Sequence, residues 1–170
     1  QLKSILGPYV RVIHAPCVGA CDKAPVAVVK QRQIFHADAD SVKAAVEAGQ
    51  VTMDPPAYKN LAAYLAEDGY KVLGDCLKGA QDREQAIEII KESGLRGLGG
   101  AGFPTATKWG FMKNAPKPRL VAINADEGEP GTFKDRHCFE TDPHRVIEGA
   151  LIAAWSIEAS AVYIYLRDEY

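Results

Sequence analysis

The amino-acid sequence predicts an α/β fold in two pieces, on three observations. From Asp82 onward helical and strand patterns alternate at lengths suited to layered strand–helix units. Before Gly49, short β-rich runs lead into one short helix. An apolar helix at 143–157 lies between two strand-length runs, 119–123 and 162–166, which fits parallel strands with a ligand at their carboxyl ends.

The first piece, residues 1–49, has β patterns at 9–13, 26–29 and 33–36 and a helix running from Ser41 through Val46 to Gly49. Residues 50–81 open with Asp54-Pro55-Pro56 and carry helical spacing through Tyr58, Leu61, Leu65 and Leu73, so they are expected to be a linker that wraps between modules. The second piece, 82–170, begins with an N-cap at Asp82, an acidic first turn, an apolar stripe at Ala86, Ile87 and Ile90, and a glycine stop at Gly94. A glycine loop, a short helix at 104–113, the strand 119–123, an acidic loop, the helix 143–157 and the strand 162–166 follow. No internal repeat interrupts this order.

Composition narrows the function classes. Apolar residues at 47% and charged residues at 25% are ordinary for a globular protein, so disorder is not indicated. A net charge of −2 without a basic run provides no electrostatic footprint for nucleic acid or an anionic membrane. The apolar run at 150–155 is too short to span a bilayer and no signal peptide opens the chain, so direct membrane insertion is not expected and a cytoplasmic location is. Four cysteines, one close pair and two singles, suit a reducing compartment better than a disulfide framework. The chain begins with Gln1 rather than Met, and is expected to be a segment of a longer subunit.

Residues 94–109 read G-L-R-G-L-G-G-A-G-F-P-T-A-T-K-W, and 124–132 read N-A-D-E-G-E-P-G-T. Bare backbone at Gly97, Gly99 and Gly100 lets N–H groups approach a phosphate or a flat ring, the helix starting near Pro104 aims its positive end the same way, and Lys108 adds a full charge. Asn124, Asp126, Glu127 and Glu129 follow an apolar strand and can accept hydrogen bonds from hydroxyl and amide groups. Together they describe a site for a phosphorylated, hydroxyl-rich ligand. The spacing Gly97-x-Gly99-x-x-Gly102 is not a dinucleotide fingerprint, because a helix rather than a strand precedes it. An NTPase phosphate loop fails too, since Lys108 does not follow the last glycine directly.

Each feature has a plainer reading. The glycines alone could be a flexible reversal, the carboxylates a solvated turn, and Phe103 and Phe111 core residues. Paired carboxylates also suit a glycosidase or a Mg²⁺ site, but neither uses such a glycine loop. Cys17 and Cys21 alone cannot complete a cluster or a zinc site, and Cys76 and Cys138 stand in unrelated contexts. His14, His36, His137 and His144 share no catalytic or metal spacing and are expected to be structural.

The two motifs, with Lys134-Asp135-Arg136, Asp142-Pro143-His144 and a final run from Tyr163 to Tyr170, resemble the flavin- and NADH-binding subunit shared by respiratory NADH dehydrogenase, NAD-reducing hydrogenase and NAD-dependent molybdenum or tungsten formate dehydrogenase. The resemblance covers roughly residues 82–170 and implies the N-terminal part of an α/β FMN-binding domain of the complex I 51 kDa type. It implies that Gly97, Gly99, Gly100 and Lys108 line FMN, that Asn124, Asp126 and Glu127 serve mainly the flavin, and that Glu129 faces the nicotinamide as the catalytic-side residue. It further implies that Tyr165 and Glu169 lie on the flavin side and that Phe103 and Phe111 stack against NADH. Leu98 replaces a frequent Arg, Ala106 a frequent Gly and Asp168 a Gly.

Upstream, Cys17-x-x-x-Cys21 followed by Ala24-Pro25 is similar to the C-terminal half of a thioredoxin-like [2Fe–2S] ferredoxin, whose other cysteine pair is not in this chain. The fusion of both modules implies the beta (diaphorase) subunit of a soluble formate dehydrogenase. It would exchange hydride between NADH/NAD⁺ and FMN and pass electrons through iron–sulfur clusters to or from a molybdenum or tungsten subunit. The family's [4Fe–4S] ligands would lie outside this chain. Hydrogenase and NADH:quinone oxidoreductase are the near alternatives. A thioredoxin-like docking module without a cluster, or a non-redox nucleotide-binding protein, are those of another class.

Overall fold

The computed structural model describes residues 2–15, 17–53 and 56–167. Two compact units divide the chain, the first built on residues up to 56 with 127–133, the second on 57–126 with 134–167.

In the first unit, helix α1 (Leu2–Ile5) precedes a loop that carries Cys17 and runs into the 3-10 turn Cys21–Lys23. Strands β1 (Ala27–Val29) and β2 (Arg32–Ile34) pair antiparallel, with Val28 opposite Gln33, and Lys30 takes φ +55 in the two-residue turn. Helix α2 (Ala39–Glu47) starts two residues before its sequence-based position, because Asp38 and Ser41 form a reciprocal capping box: Ser41 N–H donates to Asp38 Oδ1 at 2.7 Å and Asp38 N–H to Ser41 Oγ at 3.0 Å. Val42 and Ala45 are its buried face, and Gly49 at φ +63 ends the turn.

The β pattern at 9–13 forms no strand. Tyr9 is 99% exposed and Ile13 66%, and β1 and β2 pair only with each other. Without a neighbouring strand to accept its ladder bonds, β propensity alone does not make a strand.

The second unit contains α3 (Leu61–Ala66), α4 (Lys71–Leu77), α5 (Arg83–Glu92), α6 (Thr105–Phe111), β3 (Arg119–Ala125), α7 (Lys134–Thr141), α8 (Pro143–Ser156) and β4 (Ala159–Leu166). β3 and β4 are parallel, as the sequence predicts, with Asn124 opposite Tyr165, and α8 is the helix between them that packs on both. Asp142 caps α8 and Pro143 opens it, a position where the missing N–H costs nothing. Ala150 and Ala153, both buried, let the helix approach the strands closely. Arg119 opens β3 with its guanidinium buried, donating to the carbonyls of Lys113, Ala115 and Ile157 at 2.9–3.1 Å.

Within the stretch expected to be a linker, α3 and α4 pack on α8. Leu61 and Leu65, which suggest its apolar stripe, are about half exposed, while Tyr64, Leu73 and Cys76 are buried. A carboxylate makes this packing possible. Glu148 on α8 is 8% exposed and accepts hydrogen bonds from the Tyr64 hydroxyl, from Tyr70 N–H at 2.9 Å and from Leu73 N–H at 3.3 Å. Tyr70 and Leu73 are the N-cap and third residue of α4, so a side chain from another helix satisfies donors that α4 cannot pair itself. No helix among the described residues is long and apolar enough to cross a membrane.

Candidate functional site

Helix α5 ends as its sequence demands, with Gly94 at φ +68 turning the chain out of the helix. Three bonds then close the base of the glycine loop. Gly97 N–H donates to Phe103 O and Thr105 N–H to Leu95 O, both at 3.0 Å, and Arg96 Nη1 reaches Gly102 O at 3.0 Å. Arg96, whose motif position is plain in the sequence, thus works within this structure as a clamp across the loop.

Above that base the chain is exposed, with Leu98 at 80%. No described residue accepts a hydrogen bond from the N–H groups of residues 98–102, whose donors therefore face solvent or a ligand. Gly100 (φ +92) and Gly102 (φ +59) stand at backbone angles that favour glycine. Gly97 and Gly99 do not, and a Cβ built on Gly99 would meet nothing within 4 Å. Neither conformation nor packing in the chain itself accounts for glycine at position 99.

Helix α6 leaves the loop with Ala106 buried within it. Lys108 projects from α6, exposed and without an ion-pair partner among the described residues. Phe103 and Phe111 are 46% and 67% exposed, with ring centroids 6.1 Å apart. They are not core residues. Two adjoining aromatic faces open to solvent form an apolar shelf beside the loop's end.

At the carboxyl end of the parallel pair, Asn124 and Tyr165 are register partners and both are exposed, Tyr165 at 65%. Asn124 Oδ1 accepts from Asp126 N–H at 3.0 Å, an Asx turn that ends the strand. Asp126 is exposed. The division between the units falls just after it, so Glu127 and Glu129 belong to the first unit. Glu127 is 8% exposed. Glu129 is exposed, and its carbonyl accepts both the backbone N–H of Thr132 at 3.2 Å and its hydroxyl at 2.6 Å, which pins the backbone while leaving the carboxylate outward. Glu169 lies outside the described residues.

These positions fall in a contiguous stretch with known counterparts. Residues 90–170 match the Nuo51 FMN-binding domain. The α/β fold agrees with that of the complex I 51 kDa FMN-binding domain. The F 2 subunit of NADH-quinone oxidoreductase from Rhizobium meliloti (strain 1021) is 50% identical over 119 residues, which are 69% of this chain and 28% of that protein. The F subunit of NADH-quinone oxidoreductase from Aquifex aeolicus (strain VF5) is 47% identical over 115 residues, 68% of this chain and 26% of that one. Crystal structures of an NAD⁺-reducing [NiFe]-hydrogenase, air-oxidized and H₂-reduced, superpose with TM-scores of 0.67 and 0.68 at 34% identity, covering 91% of this chain and about 30% of theirs. The chain thus spans less than a third of the relatives it matches.

All the loop, strand-end and aromatic positions named above lie inside the Nuo51-like stretch, and Cys17 and Cys21 lie outside it. Both thiols are exposed in the loop of the first unit, where Gly19 takes φ +66. Among the described residues no group of three or more His, Cys, Asp or Glu side chains could hold a metal ion. Cys76 is buried and burial, with Asp75 nearby, pushes its thiol pKa up, as befits an inert core residue. Cys138 is exposed on α7. His144 Nδ1 lies 3.0 Å from the Tyr70 hydroxyl and its ring stacks on Tyr64.

The residue that sequence reasoning misses is Glu148. Along the chain it reads as the polar edge of an apolar helix, although it shares a stripe with Ile152 and Ser156 at i, i+4 and i+8. Burial would push its carboxyl pKa up, but the bonds from Tyr64, Tyr70 and Leu73 outweigh that and hold it below the ordinary value. Burial, and then the hydrogen bond to this same carboxylate, push the Tyr64 hydroxyl up to about 12.

Proposed function

We propose that this chain is the FMN- and NADH-binding segment of an NAD-dependent oxidoreductase subunit. One observation carries the reading: Gly99 is a glycine that the fold does not require, in an exposed loop whose N–H groups have no described acceptor. Such a loop suits close approach by a phosphate or flavin ring, and Lys108 beside it supplies charge. The residues present therefore fit FMN. Gly97, Gly99, Gly100 and Lys108 would hold its phosphate and ring edge, and Asn124, Asp126 and Glu127 would accept from its hydroxyl and imide groups. Tyr165 and Glu169 would complete the flavin side. Phe103 and Phe111 would stack on the dinucleotide, and Glu129 would orient the nicotinamide carboxamide. When bound, FMN would supply hydride exchange with NADH and single-electron transfer onward. The protein contributes position, charge and exclusion of water.

Cys17 and Cys21 would supply half of a [2Fe–2S] site, and [4Fe–4S] ligands would come from elsewhere in the full subunit. The finer reading is the diaphorase subunit of a formate dehydrogenase with a molybdenum or tungsten partner, and the fusion of the two segments supports it. The hydrogenase likeness covers 91% of the chain, so the fused arrangement also supports a hydrogenase diaphorase. The two readings differ in the partner subunit. The test is the complete enzyme: flavin absorbance bleached by NADH establishes the site, and bleaching by formate or by H₂ identifies the partner. A colourless protein that neither binds FMN nor oxidises NADH would overturn the reading.

A further inference from the structure

Gln33 stands in β2, and its backbone N–H and its side-chain amide nitrogen both donate outside the strand ladder. Its backbone N–H meets Met53 Sδ at 3.2 Å. Its side-chain amide Nε2 donates to the carbonyl of Val18 at 3.0 Å, and its Oε1 is buried with no hydrogen-bond partner among the described residues. Val18 lies between Cys17 and Cys21, in a loop with a left-handed residue at Gly19. The far side of that loop is held by backbone bonds, from His36 N–H to Lys23 O at 2.8 Å and from Ala37 N–H to Pro25 O at 2.7 Å. At the thiol side, a side chain fifteen residues away performs the same task.

We propose that Gln33 is a positioning residue for the Cys17–Cys21 thiol pair: its amide, carried on a hydrogen-bonded hairpin, fixes the carbonyl between the thiols and so sets the conformation in which they meet iron. The inference rests on the reading of that pair as half of a [2Fe–2S] site. Two exposed cysteines joined by a three-residue loop reach one cluster only in a narrow set of backbone conformations, and a glycine in that loop widens the set that must be restrained. A polar side chain bonded to the loop from a rigid hairpin restrains it. Burying a carboxamide with Oε1 unpaired costs stability, which a purely structural strand position would avoid with an apolar residue.

The test uses the complete subunit, iron-loaded. Gln33→Glu keeps size and exchanges the donor for an acceptor that repels Val18 O, and Gln33→Met keeps length without any hydrogen bond. Both should lose the iron of this one cluster to a chelator roughly tenfold faster than the native protein, the low end of what outer-shell partners of metal ligands contribute, and shift that cluster's EPR g-values while FMN content stays unchanged. Native loss rates and an unshifted signal in Gln33→Met, whose apolar side chain suits a half-buried position and leaves no unpaired polar atom of its own, overturn the inference. The paired substitution Cys17→Ser with Cys21→Ser tells the two readings apart. If it leaves iron content and EPR signals intact, the cluster reading falls and this inference with it; if it removes one signal while both Gln33 variants behave as native, only the inference falls.

Discussion

Replacing Gly99 by Ala should make the flavin-free protein slightly more stable and the flavin-bound protein much harder to form. A Cβ on Gly99 meets no atom within 4 Å, and the residue is not at positive φ. Alanine can therefore adopt the native conformation, and its smaller unfolded-state entropy should stabilise the apo subunit by about 0.4–1 kcal/mol. In the proposed site the same methyl would occupy the space in which FMN lies against bare backbone. Overpacking a fitted contact costs about 1–3 kcal/mol, so FMN affinity should fall by roughly 5- to 150-fold. Gly102→Ala is the counter-experiment. At φ +59 it forces alanine into the left-handed region, with a fold cost of about 1–2 kcal/mol before any ligand is added. The assay is chemical denaturation of both apo variants beside quenching of FMN fluorescence on titration. If Gly99→Ala destabilises the apo protein and binds FMN normally, glycine at this position serves the chain and not a ligand, and the flavin site loses its main support.

Three further outcomes follow from the same structure. Glu129→Gln in the complete enzyme should lower kcat/KM for NADH by roughly ten- to a hundredfold with FMN content unchanged, since a hydrogen bond to a charged group contributes about 1.5–3 kcal/mol; a defect that merely tracks lost flavin would assign Glu129 to the flavin instead. Cys17→Ser with Cys21→Ser should remove about two irons per subunit, measured by iron analysis, and unchanged iron would leave the thiols without a cluster. Glu148→Gln should cost about 1–3 kcal/mol in urea denaturation by taking the charge from three hydrogen bonds. Because its folded pKa lies below the ordinary 4.5, Glu148 contributes stability that is present above that value and lost as pH falls through the folded pKa. The stability difference between native and Glu148→Gln proteins should therefore shrink in acid, and a difference independent of pH would assign its effect to packing.

Much of the second unit is legible in the residues because its signals are local. Asp82, the stripe at Ala86, Ile87 and Ile90, and Gly94 bound α5 within a residue or two, and Asp142-Pro143 does the same for α8. β3 and β4 are apolar runs on either side of that helix, and a parallel pair needs such a connection. The glycine and acidic motifs can be located for the same reason: each is a continuous piece of chain.

What the tertiary structure decided are the relations between pieces. The register that sets Asn124 beside Tyr165 depends on how α8 seats two strands forty-one residues apart in partner positions, and no local pattern encodes it. Tyr9 and Ile13 have strand propensity, but a strand exists only where a neighbour accepts its ladder bonds. Gln33 gains its meaning from Val18, across a loop, and Glu148 from Tyr64, Tyr70 and Leu73, each at least 75 residues away. Caps, turns and periodicity are properties of neighbours in the chain and can be read there. Whether a glutamate is a solvated edge or a buried cap depends on which donors folding brings to it, and only the assembled structure contains that answer.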